Sequence, residues 1–120
     1  MHSRAVPGGR AYWWTDQLWL HAAGLPVTAM RVADFPEFDI DCWFGESLPP
    51  TCRAVAVHAR RIYEADLSHP VILASDGSLM DGGHRLARAW LAGRPEVPTV
   101  RFSIDPEPDW VAPNAPPSQG

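Results

Sequence analysis

Five consecutive residues, Asp81-Gly82-Gly83-His84-Arg85, concentrate the residue types that phosphate chemistry uses. The glycine pair stands directly before a stretch with helical spacing, and a helix N-terminus presents unpaired N–H groups and a partial positive charge. An anion can approach such a turn closely. Arg85 adds a planar fork of donors, and His84 can move a proton near neutral pH. The predicted phosphate contacts are Gly82, Gly83, His84 and Arg85.

Asp81 would repel a bare phosphate, so its carboxylate needs another role. It is interpreted as a magnesium ligand, as a partner that orients Arg85 or His84, or as a base. Arg88 lies three residues after Arg85 on the same predicted helix and is a further candidate for phosphate binding. A plain turn-to-helix junction, with Asp81 as the N-cap, is the simpler alternative.

Other candidates lie upstream of the glycine pair. Glu37, Asp39 and Asp41 alternate with apolar residues in a segment predicted to be extended from Phe38 onwards. Acids on such a face are usually only solvated. The functional alternative is a carboxylate directed into a cleft as general base or magnesium ligand. His58 is interpreted in the same two ways, as a half-buried histidine or as a residue beside the ligand.

Caps and hydrophobic periodicity predict the elements that position these residues. Helices are predicted at 16–23, 52–65 and 83–92, strands at 27–32, 71–74 and 97–102, and a hairpin turn at 75–78. Residues 1–11 are interrupted by Gly and Pro and are predicted to be flexible. Residues 105–120 are proline-rich and acidic and are predicted to form a tail. Residues 12–104 between them are predicted to form one domain.

Helical spacing also predicts which side chains are buried. On the first helix the apolar face is predicted to hold Trp14, Leu18 and Trp19. On the last helix Leu86 and Trp90 are predicted to face the core together with Ala89 and Gly93, because they follow the i, i+3, i+4 rule.

Composition excludes several classes of function. All ten basic residues are arginine, so neither a Schiff-base lysine nor a Walker lysine exists in the chain. A net charge of −4 disfavours non-specific nucleic-acid binding. Residues 53–101 nevertheless hold seven Arg against five acids, which suits a small anionic ligand.

The two cysteines, Cys42 and Cys52, lack the spacing of a zinc site. With neither a membrane-length apolar run nor a signal peptide, the protein is predicted to be soluble and cytoplasmic.

The stretch 71–101, with its short strand, its Asp-Gly turn, LMDGGHRLARAWLAG and the closing VPTVRF, resembles the ParB/sulfiredoxin superfamily. More narrowly, it is similar to small stand-alone ParB-like proteins with a D-G-x-H-R motif. The resemblance covers the C-terminal half of the chain and extends loosely over residues 27–66. It implies a compact single-domain α+β fold, with helices packed on a small mixed sheet, and binding of ATP or CTP with Mg²⁺ at the motif.

Carried over by position, the resemblance implies that residues 82–85 cradle nucleotide phosphates and that Asp81 stands at the active site. Serine kinases of this fold also use an upstream glutamate as base. Glu37 is the nearest candidate in this chain, with Asp39 or Asp41 as alternatives. The candidate catalytic residues are therefore Asp81, His84 and Glu37.

Two departures narrow the expected function. Gly83 occupies the place of the reactive cysteine of sulfiredoxin, which argues against that activity. The partition proteins carry a Glu-Arg-Arg motif and an appended helix-turn-helix, and neither is expected here. The sequence predicts a nucleotide-binding domain that transfers or hydrolyses a phosphoryl group on a small molecule. The alternatives are a non-catalytic nucleotide- or partner-binding module and, weakest, a DNA-partition accessory protein.

Overall fold

The computed structural model describes residues 1–45 and 48–114. The strands are β1 (His2–Val6), β2 (Gly9–Trp13), β3 (Thr28–Arg31), β4 (Val71–Leu73), β5 (Leu79–Asp81), β6 (Glu96–Arg101) and β7 (Trp110–Pro113). The α-helices are α1 (Thr15–Ala22), α2 (Cys52–Glu64) and α3 (Gly83–Leu91). Helices and two small sheets form one domain, as the predicted α+β class requires. Within the described ranges, no helix is both long and apolar enough to cross a membrane.

The larger sheet has the strand order β3-β6-β4-β5. Strands β4 and β6 are parallel, whereas β3–β6 and β4–β5 are antiparallel, so the predicted mixed sheet is confirmed. All three residues of β4 are buried, as expected for an apolar strand covered on both faces. The connection from β4 to β6 runs through β5 and α3, which brings the Asp81-Gly82-Gly83 turn to the edge of the buried core.

Helix α3 packs its apolar stripe on this sheet. Leu86 and Ala89 are buried in one cluster with Val71 of β4, as predicted. The prediction for Trp90 was wrong, because 64% of its surface is exposed. Arg85 is buried instead. It lies one residue before Leu86 and four residues before Ala89, so these three side chains share one face of α3 and Trp90 lies outside that face.

The N-terminal residues form structure that the sequence did not predict. Residues 1–11 were expected to be flexible, but β1 and β2 pair as a hairpin, from His2 opposite Trp13 to Val6 opposite Gly9. The Pro7-Gly8 pair that interrupts the sequence pattern is the turn of this hairpin. Burial alternates along β2, with Ala11 and Trp13 inside, which fixes the hairpin on the core.

The predicted acidic tail also contributes a strand. β7 pairs antiparallel with β2, so the second sheet has the order β1-β2-β7. The tail is held earlier as well, because both carboxylate oxygens of Asp105 accept hydrogen bonds from Ser75. The rest of the predicted tail, residues 115–120, lies outside the described residues.

Two upstream predictions had opposite outcomes. Helix α2 begins where its cap predicts, since Thr51 Oγ1 accepts a hydrogen bond from the N–H of Ala54 at 3.2 Å. The segment expected to be extended after Phe38 instead lies partly in a 3-10 helix, Pro36–Asp39. Proline at the first position of that helix favours this turn, because its φ is already helical.

Candidate functional site

A cavity of about 1050 Å³ opens at the N-terminus of α3, between α1, α2 and the segment before α2. Most of the residues predicted for the site line it together: Glu37, Asp81, Gly82, Gly83, His84 and Arg85. Arg88 lies elsewhere, with its guanidinium 5.7 Å from the ring centre of Tyr63 on α2. The structure thus joins the upstream glutamate to the glycine turn and separates Arg88 from both.

Close packing requires glycine at position 82 and leaves little room for a side chain at position 83. A Cβ on Gly82 would lie 2.9 Å from both γ carbons of Val71, and its φ of +137° is one that residues with side chains rarely adopt. A Cβ on Gly83 would lie 3.1 Å from Nε1 of Trp43. The first glycine therefore lets the turn approach β4, and the second lets an indole lie over the helix start.

Arg85 uses its donors inside the protein. Its side chain is 91% buried, and Nη2 donates to Oδ2 of Asp81. Nη1 donates to the carbonyl oxygen of Pro70 at 2.6 Å and to that of His69 at 3.3 Å. The expectation that Arg85 holds phosphate is not supported by this arrangement. Asp81 was predicted to orient Arg85 as one of its possible roles, and the hydrogen bond that this role needs is present.

Trp19 completes this buried pair. Its indole N–H donates to Oδ2 of Asp81 at 2.6 Å. Its ring stacks on His69 at 4.5 Å between centroids and lies 5.6 Å from the Arg85 guanidinium carbon. Trp19 was predicted to pack inside the first helix face, but it is 41% exposed and lines the cavity.

Two histidines meet on the opposite wall. Nδ1 of His58 lies 2.8 Å from Nε2 of His84, so one of these nitrogens donates and the other accepts. Burial, followed by the charges of His58 and Arg61, lowers the pKa of His84 to about 4. Burial and Arg61 also lower the pKa of His58. Both rings are therefore neutral at pH 7 and can accept or relay a proton.

Trp43 organises this wall. Its ring stacks on His58 at 4.9 Å and on His84 at 4.7 Å, nearly parallel to both. Asp41 holds the loop that carries it, because its carboxylate accepts hydrogen bonds from the N–H groups of Trp43, Phe44 and Gly45. These bonds also lower the pKa of Asp41. Asp41 therefore builds the loop. Asp39 is exposed and does not line the cavity, so Glu37 is the upstream carboxylate that lines it with an oxygen free of donors from the described residues.

Glu37 is held by one oxygen only. Oε2 accepts a hydrogen bond from the N–H of Leu79 at 2.9 Å. Oε1 is buried and receives no hydrogen bond from any described residue. A buried acceptor without a donor costs free energy that a donor on a ligand would recover. Oε1 is therefore a candidate acceptor for a donor on a ligand.

The residues also fit nucleotide-bound magnesium. Such an ion keeps waters and phosphate oxygens and needs only one or two carboxylates from the protein. Glu37 and Asp81 each offer an oxygen, Oε1 and Oδ1, that no described residue donates to. In residues 1–45 and 48–114, no three His, Cys, Asp or Glu side chains form a cluster that could hold a metal by themselves.

Sequence reasoning missed Trp43 and left the role of His58 open. His58 and His84 are 26 residues apart, so no local pattern relates them. One signal was available: His58, Arg61 and Ala65 follow i, i+3, i+7 spacing on or just after α2, and all three line the cavity.

No protein-family model, curated protein or solved structure matches this chain. The resemblance to the ParB/sulfiredoxin superfamily therefore stays a prediction from the motif at residues 81–85.

Proposed function

We propose that the cavity binds a nucleotide, ATP or CTP with Mg²⁺, and that the protein transfers its terminal phosphoryl group to a small molecule or to water. One observation carries the proposal: a single cavity brings together the N-terminus of α3, a neutral histidine pair and the carboxylates of Glu37 and Asp81. Its volume of about 1050 Å³ is ample for a nucleotide and a small second substrate.

In this proposal the phosphates lie against the first turn of α3. The N–H groups of Gly83 and His84 belong to that turn, where a helix has no internal acceptors for them. Arg61 on α2 lines the same cavity and forms no ion pair with any described residue, so its charge is available to phosphate. Arg85 does not contact the phosphates in this proposal. It positions Asp81 and the glycine turn.

The chemistry follows from the free groups. The acceptor hydroxyl forms a bond to the terminal phosphorus, the bond to the bridging oxygen breaks, and the hydroxyl proton passes to neutral His84. Bound Mg²⁺ would neutralise phosphate charge, with Asp81 as its carboxylate. Arg61 and the helix N–H groups would stabilise the charge that develops on the transferred group.

A non-catalytic binding module is the second candidate. Asp81 and Arg85 are the most distinctive charged residues of the motif, and both are engaged with each other and with Trp19. That arrangement would serve a pocket that only binds. A DNA-associated role remains the weakest candidate because of the net charge of −4.

For either a phosphotransferase or a binding module we propose a cytoplasmic setting, where nucleotides are abundant and the free thiols of Cys42 and Cys52 stay reduced.

Calorimetric titration with ATP, CTP and GTP in the presence of magnesium tests the proposal. Arg61→Ala should weaken nucleotide binding by about tenfold, since a phosphate contact is worth about 1.4 kcal/mol. Arg60→Ala is the matched control, because Arg60 is exposed on the same helix and does not line the cavity.

A folded sample that binds none of the three nucleotides would refute nucleotide binding. Binding without turnover, across a panel of hydroxyl acceptors and water, would favour the binding module. A salt-sensitive shift of duplex DNA would favour the DNA-associated role.

A further inference from the structure

The geometry points to a second ligand site for a small organic ammonium with an apolar body, whose ammonium group donates to Glu37 Oε1. The site is a separate cavity of about 280 Å³ beneath the loop that carries Trp43. Its binding of an amine is independent of the proposed function. Its role as the site of a second substrate, next to the nucleotide, rests on that function.

The walls of this cavity are mainly apolar. They are formed by Phe38, Ile40, Phe44, Leu86 and Ala87, which come from the 3-10 helix, the loop and α3. An apolar wall of this kind binds hydrocarbon and excludes water. The volume limits the occupant to a molecule of about one ring, since pockets for larger ligands begin near 300 Å³.

Two carboxylates reach this cavity, and they differ in one respect. Asp41 is satisfied by three backbone N–H groups, so it has little to offer a ligand. Glu37 has one oxygen fixed on the N–H of Leu79 and the other buried without a donor from the described residues. A ligand donor in this cavity would therefore be directed to Oε1 of Glu37.

The charge of the site selects an ammonium over a hydroxyl. Glu37 forms no ion pair with any described residue, so its half-buried carboxylate lacks a compensating cation. The rings of Phe38, Trp43 and Phe44 line the same space, and aromatic faces attract cations. A carboxylate-bearing ligand would meet like charge and is excluded.

The two cavities share part of their walls, including Glu37, Trp43 and Gly83. An ammonium on Oε1 would therefore stand at the boundary, with its apolar body under the loop. A second polar group on the same molecule, such as a hydroxyl, would face the larger cavity. An amino alcohol with an apolar side is the substrate class that fits both.

Three probes with one body and different head groups test the site: phenethylamine, 2-phenylethanol and 3-phenylpropionate, titrated at pH 7 by calorimetry and by amide NMR shifts. Phenethylamine should bind at least about tenfold more tightly than the alcohol, and the carboxylate should not bind. Glu37→Gln should lose about tenfold in amine affinity. Asp39→Asn is the matched control, because Asp39 is exposed on the same 3-10 helix.

A second variant tests the cavity without touching Glu37. Ala87→Leu places a larger side chain into the space from a half-buried position on α3 and should abolish amine binding. ATP affinity should be unchanged, since Ala87 does not line the larger cavity. ATP titration of the same samples separates failure of the nucleotide proposal from failure of this one.

Equal affinity for amine and alcohol would overturn the assignment to Glu37. An amine affinity that Glu37→Gln and Ala87→Leu both leave unchanged would overturn the site, as would the absence of amine binding by the folded wild-type protein.

Discussion

The Arg85 guanidinium illustrates what a residue type can and cannot indicate. The sequence identifies an arginine at the start of a helix beside two glycines, which is a typical phosphate-binding pattern. The carbonyl oxygens of His69 and Pro70, and the carboxylate of Asp81, occupy its donors instead. Which acceptors surround a side chain depends on tertiary packing, and no local pattern specifies it.

Arg85→Ala is expected to lower the free energy of unfolding by about 3 kcal/mol, because it removes a buried guanidinium and leaves the half-buried Asp81 carboxylate without its cation. Arg85→Lys should restore little, since an ammonium cannot reproduce the planar fork. Urea denaturation measures both. Arg94→Ala, at an exposed position after α3, should change stability by less than about 0.5 kcal/mol. Full stability of Arg85→Ala would contradict the structural role.

The histidine pair predicts a pH dependence of stability. The pKa of His84 falls from an ordinary 6.5 to about 4 on folding, so the unfolded chain binds more protons between these values. The free energy of unfolding should therefore be constant above about pH 7 and decrease as pH falls from 6.5 towards 4. Burial also lowers the pKa of His2 to about 4, and this adds to the same decrease.

Denaturation across pH 4 to 8 measures this slope. His84→Gln should reduce the slope to the part contributed by the remaining histidines such as His2, whereas His21→Gln, at an exposed site on α1, should leave it unchanged. NMR titration that finds His84 fully protonated at pH 6 in the native state would contradict the prediction.

At the scale of elements, periodicity predicted the helices well and their buried faces less well. Leu86 and Ala89 face the core as their spacing requires. Trp90 does not, because the pairing of Arg85 with Asp81 rotates the buried stripe by one residue. Similarly, the Asp41-capped loop and the 3-10 helix before it depend on side-chain hydrogen bonds that hydrophobic patterns do not record.

The two ends of α3 offer a matched pair of glycine substitutions, Gly82 before the helix and Gly93 after it. Gly82→Ala should cost about 3 kcal/mol, since it combines an unfavourable φ with overlap of Val71. Gly93→Ala should cost about 1 kcal/mol, because Gly93 has a φ of +70° but nothing within 4 Å of its added Cβ. Thermal or urea unfolding measures the difference. Equal losses at the two positions would show that Val71 yields to the added methyl group.

At the scale of the molecule, both ends of the described chain meet in the second sheet. Strand β2 lies between β1 and β7, and Trp13 on β2 donates its indole N–H to the carbonyl of Pro106 at 2.9 Å. Pairing between residues about a hundred positions apart has no signature in a single sequence. Local patterns predicted most helices and strands of the core domain, and the family resemblance implied its mixed sheet; neither predicted this second sheet.

Two truncated chains measure what the C-terminal strand contributes. A chain ending at Phe102 should be less stable than one ending at Asn114, by on the order of 3 kcal/mol. It loses the pairing of β7, the Asp105 bonds to Ser75 and the acceptor of the Trp13 indole. Both chains lack residues 115–120, so the comparison isolates residues 103–114. Equal melting temperatures would show that β7 adds no stability.

The stacking of Trp43 between the loop and the two histidine rings gives the protein an internal optical reporter. Protonated imidazole quenches indole fluorescence by accepting an electron, whereas the neutral rings present at pH 7 quench it far less. Trp43 emission, obtained as the difference between wild type and Trp43→Phe, should therefore dim as the histidine pair takes up a proton. A ligand that displaces the loop or adds charge beside His84 should change the same emission, which makes cavity occupancy measurable without a label.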